Sequence, residues 1–475
     1  MAVTPIWDNA VAADPATRPG VYINFASVPP PPSSPSATGI VAVVATADWG
    51  PLDTPTDILN KRDVDRYLGT NPASEIRTEL LEMIEVGAAK VIFYRIAAAA
   101  AAKATLTLND SVPAAALTVT AKYEGTFGNS LRVAVVTNVV DPLKKDLLLY
   151  EGTVLRESFT GATNTEIVAA FTALGSEYVD IALSGAGARA LANVTATPLA
   201  GGNSGTGVVS GDYVAGWEGT QGSVYSTIVI DTSDAAIQAS FGAWVKARRV
   251  AGYRVRGFVG SAQVMTFADK LLQAQALNDE GMHYVVSDYV TRGGVALPPY
   301  RAAGTLAAVA ALRAYRSITN YTIDGATQGA ISLSSTEYAK ALTFGMLVLS
   351  WSGTRVYIES GINTLQPNSQ VAPKSPDWRK MRYVACQDWI AEEVWLALMD
   401  NYVGQIENDE RGRAEAVRVA NDVVSRAVQL GILDPDADNQ AYLDDRYESN
   451  KDRVFLAVSG SFVDAIEKFF LTVVI

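Results

Sequence analysis

A chain of 475 residues that holds one cysteine and one histidine has little with which to build chemistry. Cys386 stands alone, so no intrachain disulfide forms, and it reads as a small buried residue. His283, in "GMHYVVSDYV", sits on an apolar strand pattern and reads as structural. A hydrolytic triad needs an imidazole between a nucleophile and an orienting carboxylate. The sequence has neither a Gly-x-Ser-x-Gly elbow nor Cys/His zinc spacing. No catalytic residue, metal ligand or cofactor is therefore assigned. Basic residues are also short, 38 against 50 acidic for a net charge of −12, which argues against direct nucleic-acid binding. Long apolar runs are missing: "LTFGMLVLSW" (Leu342 to Trp351) is well short of the ~20 residues of a membrane span. The start, "MAVTPIWDNA", has no basic or apolar signal-peptide region. The expectation is a soluble cytoplasmic product with no membrane insertion.

What is present is globular: 49% hydrophobic and 19% charged residues, enough for about three domains. Residues 1–37 read as an N-terminal arm, with a short strand in "GVYINFASV" and a polyproline spacer, "PPPPSSPS" (Pro29 to Ser36). "TGIVAVVATA" (Thr38 to Ala47) is a strand buried on both faces. "SEIRTELLEMIEVGAAKVIFYRIA" gives a helix with Ile76, Leu80, Met83 and Ile84 on one stripe, a Gly87 stop and a strand. Residues 38–102 thus open a parallel α/β domain. Residues 103–200 turn to short alternating strands, a β-rich insertion with one helix near Thr165 to Leu174. The α/β texture resumes over 201–370, with helices at Asp234 to Arg249, at "FADKLLQAQALNDEG" and at "PPYRAAGTLAAVAALRAYRSITN". Residues 371–475 form an α+β C-terminal domain. Ile390, Val394, Leu398 and Tyr402 recur along its helix, and two strands close the chain. This domain has 12 basic and 19 acidic residues, so its −7 is more than half of the chain's charge.

Three stretches invite a sharper reading. "GGNSGTG" (Gly201 to Gly207) lacks the Lys-Ser/Thr of a phosphate loop and reads as a turn at a domain boundary. "KARRVAGYRVR" (Lys246 to Arg256) carries five basic residues, either held in water around a helix end or forming a partner-facing patch. "DPDADNQAYLDD" (Asp434 to Asp445) carries five aspartates without the register of a calcium loop and reads as solvated. Glu392 and Glu393 are adjacent, so they do not share one helix face as an acid/base pair would.

Four stretches in order resemble the contractile bacteriophage tail sheath protein family, which includes the sheaths of related contractile injection particles. They are "RPGVYINFASVP" (Arg18 to Pro29), "ATADWGPLDTPTDI" (Ala45 to Ile58), "LTVTAKYEGTFGNSLRVAVV" (Leu117 to Val136) and "IESGINTLQP" (Ile358 to Pro367). "LAGGNSGT" followed by "DYVAGWEGTQGS" fits the same pattern. Phe127 stands where that family often has Trp, and the first twenty residues are longer than its usual opening. The resemblance implies a subtilisin-like α/β core without its triad, an outward β-insertion and an inward C-terminal domain. It implies a structural subunit and no enzyme. The subunit would polymerise helically with itself around a tail tube, with baseplate and tail terminator proteins as further partners. Contraction would drive the tube through a bacterial envelope without a nucleotide. A phage tail, a headless tailocin and an injection system all fit. The subunit would be made in the bacterial host cytoplasm and reside in the virion tail. An α/β hydrolase and a non-contractile shell protein are the rival readings. The first lacks a nucleophile–base pair, and the second lacks a secretion signal or basic face.

In that family each subunit lends terminal strands to its neighbours, and both ends of this chain suit the role. In "EKFFLTVVI", Phe469, Leu471, Val473 and Ile475 point one way, Phe470 and Val474 the other, so both faces are apolar. As a free edge such a strand would aggregate. Its expected counterpart is "GVYIN", with Val21, Tyr22, Ile23 and Phe25. Asp388, Glu392, Arg411 and Arg413, where charges crowd helix ends in the presumed inner domain, are the expected tube-facing residues.

Overall fold

The structure, a computed structural model, describes residues 38–185, 187–205, 207–366, 374–399, 402–449 and 451–467. The terminal strands expected at Val21, Tyr22, Ile23 and Phe25, and at Phe469, Leu471, Val473 and Ile475, lie outside the described residues.

Strand β1 (Ile40–Thr46) is buried on both faces, as its unbroken apolar run requires. After it come β2 (Pro55–Ile58), helix α1 (Lys61–Leu68), helix α2 (Glu75–Glu85) and β3 (Lys90–Ile96). Asn60 starts α1 by accepting from the N–H groups of Arg62 and Asp63. The insertion then supplies β4 (Lys103–Asn109), β5 (Ala115–Glu124), β6 (Leu131–Thr137), β7 (Lys145–Glu151), β8 (Val154–Gly161), α3 (Asn164–Leu174), β9 (Val179–Leu183) and β10 (Val194–Pro198). Helix α4 (Ser210–Gly219) leads back to alternating strands and helices: β11 (Thr227–Ile230), α5 (Ala235–Val250), β12 (Arg256–Gly260), α6 (Phe267–Leu277), β13 (Met282–Val285), α7 (Pro299–Arg313) and α8 (Ser335–Thr343). Two long helices follow, α9 (Met381–Met399) and α10 (Glu410–Gln429). The result is a mixed α/β architecture, and no helix among the described residues is long and apolar enough to cross a membrane.

A seven-stranded sheet runs in the order Met346–Leu347, β13, β12, β11, β1, β3, β2. The pairings of β11 with β12, β12 with β13, and β13 with Met346–Leu347 are parallel, as the alternation of strand and helix demands. The chain gathers into two compact units. Among the described residues, one takes Thr38–Val43, Thr78–Ile92 and those from Gly222 to Glu467; the other takes those of Val44–Arg77 and Phe93–Gln221.

In the second unit, the sheets β4-β5-β9 and β10-β6-β7-β8 share one apolar core with Leu117, Val119, Val133, Leu147, Leu149 and Phe159. Each such side chain contributes about 1.5–3 kcal/mol on burial. Trp49 belongs to this core, edge-on to Tyr123 at 5.1 Å and tilted against Phe127 at 4.9 Å. The Phe127 ring also lies over Gly69, where a Cβ would stand 2.4 Å away. Arg95 of β3 fixes the loop around Trp49 by donating to the carbonyls of Ala47 (2.8 Å) and Gly50 (2.6 Å).

The first unit is built around α7, a helix of alanines and one glycine buried through most of its length. Arg301 on α7 pairs with Glu79 on α2 (3.1 Å) and with Asp231 just after β11 (3.4 Å). Gly304 lets α2 come close, since a Cβ there would stand 2.2 Å from Met83 Cε and 2.3 Å from Glu79 Oε1. Gly304→Ala is therefore expected to cost about 1–3 kcal/mol of overpacking, read as a shift in the urea midpoint. An unchanged midpoint would show that α2 and α7 are not in this contact.

Candidate functional site

The single histidine and the single cysteine are both sealed. His283 is fully buried on β13, stacked on Phe258 (4.4 Å, 10°), with Nδ1 3.2 Å from the Gly257 carbonyl. Burial, with Arg256 adding to it, lowers its pKa to about 3, so the ring stays neutral through the ordinary pH range. Burial pushes the Cys386 thiol up to about 12, and its Sγ faces the Tyr315 carbonyl at 3.4 Å. Neither group offers a nucleophile or a base to solvent.

The basic stretch Lys246–Arg256 corrects the expectation that its side chains lie in water. Arg248 does stay outward, over the Tyr253 ring at 3.4 Å. The last turn of α5 aims Arg249 inward, and it grips Asp388 on α9 through two bonds, Nη1 to Oδ2 at 2.9 Å and Nη2 to Oδ1 at 3.0 Å. Arg256, buried at the start of β12, donates to the Ala310 carbonyl at 3.3 Å. Burial alone would raise the Asp388 pKa. The charge and hydrogen bonds of Arg249, then the charges of Arg254 and Arg256, outweigh that and hold it below the usual carboxylate range. Burial pulls Arg256 down to about 10. Asp388 thus pairs directly with Arg249 and also faces the charges of Arg254 and Arg256, and its two bonds lock α9 to α5. Asp388, expected to face a tube, is buried in this pair. Glu392 is half-buried one turn further along α9. Arg411 is exposed in the first turn of α10. Arg413, in the same turn, reaches the carbonyls of Asp409 (3.2 Å) and Ser449 (2.5 Å).

A different site emerges behind α10. The acidic stretch read as a solvated loop holds the strand Gln440–Leu443, paired antiparallel with Leu456–Ser459. Its alternation was masked by flanking aspartates: Ala441 is buried in the core of α9 and α10, while Tyr442 is 42% exposed. Leu456 and Val458 pack against the same core. Among the described residues this sheet has two strands, a size that is marginal alone.

The backbone pattern shows which groups face its two edges. Ala441 sits opposite Val458. Yet the Ala441 N–H donates to Asn421 Oδ1 on α10 at 2.9 Å, and Asn421 Nδ2 donates to the Ala441 carbonyl at 2.9 Å. Ala441 and Val458 are therefore a pair whose backbone groups face away from each other, and the hydrogen-bonded pairs are the alternate ones. The bond from the Asp444 N–H to the Phe455 carbonyl (2.9 Å) continues that alternation. It follows that Leu456 and Val458 turn their N–H and C=O groups to the outer edge, where they have no partner among the described residues. The outer edge of Gln440–Leu443 is met at Ala441 by Asn421.

Domain signatures cover nearly the whole chain. Residues 38–96 match the tail sheath protein Gp18 domain III N-terminal region, and 97–204 the phage tail sheath protein beta-sandwich domain. Residues 206–364 match the phage tail sheath protein central domain, and 373–475 the phage tail sheath C-terminal domain. The chain belongs to the phage tail sheath protein family. Solved structures agree in fold. A sheath tail protein of Desulfitobacterium hafniense superposes with a TM-score of 0.76 at 23% identity, over 95% of this chain and 99% of that one. A sheath tail protein of Listeria innocua gives 0.65 at 25%, over 90% and 96%. The helical sheath of the anti-feeding prophage in its contracted state gives 0.53 at 13%, over 97% and 99%.

The motifs that carry the sheath resemblance act here as joints. Asn129, in "FGNS", donates to the Gly202 carbonyl (2.7 Å) and accepts from the Gly202 N–H (2.9 Å), tying two of the quoted stretches together. Asn363, in "GINTLQP", donates to the Trp378 carbonyl (2.7 Å), and Thr364 bonds the Asp279 carbonyl at 3.1 Å. Sequence reading passed over Asn421, whose only signal is a polar residue amid the apolar positions of α10. Asp388→Ala, which leaves buried Arg249 without its paired carboxylate and removes a counter-charge from Arg254 and buried Arg256, is expected to cost about 3–5 kcal/mol in urea unfolding. A cost below about 1 kcal/mol would mean the pair is not locking α9.

Proposed function

We propose that this chain is the subunit of a contractile tail sheath, a structural and non-enzymatic part that polymerises through exchanged strands. Family membership sets the frame. The observation that carries the reading is the Leu456–Ser459 edge, which has no strand partner among the described residues and lies beside the apolar core of α9 and α10. A strand from another copy laid there would satisfy the outward groups of Leu456 and Val458, the logic of strand augmentation. The strands around Phe469–Ile475 and Val21–Phe25 are the arms that supply it. The seven-stranded sheet is the subtilisin-like core, retained as a scaffold without its chemistry. Glu392, Arg411 and Arg413 are the residues we assign to the tail tube, with baseplate and tail terminator proteins meeting the ends of the polymer. The subunit would be made in the bacterial cytoplasm and act in the tail. The contracted sheath of the anti-feeding prophage shares the fold. Contraction then moves each subunit as a near-rigid body between two packings of one polymer, while the exchanged strands keep the subunits joined.

Deleting Leu471 to Ile475 tests this. The truncated chain is expected to stay folded and dispersed by circular dichroism and sedimentation while losing the tubes that the full chain forms in negative stain. Tubes that survive the deletion, or global unfolding caused by it, would place that strand outside the exchange.

A further inference from the structure

We infer that Asn421 makes strand addition one-sided, so that the two arms a hairpin receives must add in series on the Leu456–Ser459 edge rather than one on each side. This rests on the proposed exchange of arms. Its own basis is the pairing of Asn421 with Ala441. An antiparallel neighbour would give Ala441 one donor and one acceptor. The Asn421 amide already supplies both at 2.9 Å, and its Nδ2 also donates to the Val417 carbonyl at 3.0 Å in its own helix. A strand arriving at Ala441 would have to break both bonds and leave the half-buried Asn421 amide with only its Val417 contact, a cost that Leu456 and Val458 do not impose on theirs. Polar closure of an edge is a recognised means of preventing unwanted pairing.

The consequence is an order of assembly. The second arm has no backbone to pair with until the first has docked, so its place is created by the first. Two open edges would instead allow a hairpin to bridge strands on both sides and would let the polymer branch. Asn421 thus limits a potentially uncontrolled β-association to a single direction of growth, and does so from a helix, without adding residues to the strand itself.

The test follows single amides by hydrogen exchange in the full chain, dispersed and assembled, alongside negative-stain microscopy. In the parent chain the Ala441 amide is expected to exchange equally slowly in both states. In Asn421→Ala it is expected to exchange at least about tenfold faster when dispersed, to regain protection on assembly, and to accompany irregular aggregates in place of uniform tubes. A tenfold gain of protection at Ala441 on assembly of the parent chain would overturn the inference, and this holds even if the variant fails to fold. Uniform tubes from Asn421→Ala with an unprotected Ala441 amide would also overturn it. A parent chain that forms no tubes would instead reject the sheath-exchange reading on which the inference rests.

Discussion

The buried pair between Arg249 and Asp388 is the constraint on which the larger unit depends. Its guanidinium and carboxylate leave water together and meet through two parallel bonds, the geometry in which such a pair offsets its desolvation. The nearby charges of Arg254 and Arg256 further favour the ionised carboxylate of Asp388. Helix α9 is consequently not a loosely tethered appendage. It is fixed to α5, and through its shared core with α10 it fixes the small hairpin as well. A subunit that transmits force needs such rigidity, because a flexible joint between sheet and hairpin would absorb the displacement that contraction is meant to deliver.

A second theme is how backbone groups are satisfied where no strand is at hand. Asn129 closes the backbone of Gly202, Asn363 that of Trp378, and Asn421 that of Ala441. Asn129 and Asn421 use both donor and acceptor on one residue, while Asn363 donates to Trp378 and accepts from the Leu365 N–H. Against this background the outward groups of Leu456 and Val458 stand out. The fold has the means to close an edge and uses it on one strand of the hairpin. The edge left over lies beside an apolar surface, the condition under which an added strand gains both hydrogen bonds and burial.

Much of this was legible in the sequence, and what was not has a physical cause. The both-faces apolar run of β1, the stripe of α2, the proline that opens α7 and the β-texture of the insertion all report local periodicity, which a sequence states directly. Pairing across long separations is not local. Nothing near Arg249 announces a carboxylate 139 residues on, so its neighbourhood read as a solvated basic patch. Asp388 likewise read as a surface charge because its own helix gives no sign of Arg249. The strand Gln440–Leu443 was hidden because five aspartates in twelve residues outweigh buried Ala441 and half-buried Leu443 in any compositional reading. Asn421 was missed for the same reason: its role depends on a strand twenty residues away and on the parity of a register.

Assembly depends on the Leu456–Ser459 edge receiving a strand from another copy. The most direct measurement is negative-stain microscopy of the full chain carrying Val458→Pro. Because the Val458 N–H faces outward, proline at that edge removes the group an incoming strand would use while sparing the bonds inside the hairpin. The expected result is a chain that melts at the parent temperature and forms no tubes. Ordinary tubes from this variant would contradict the claim.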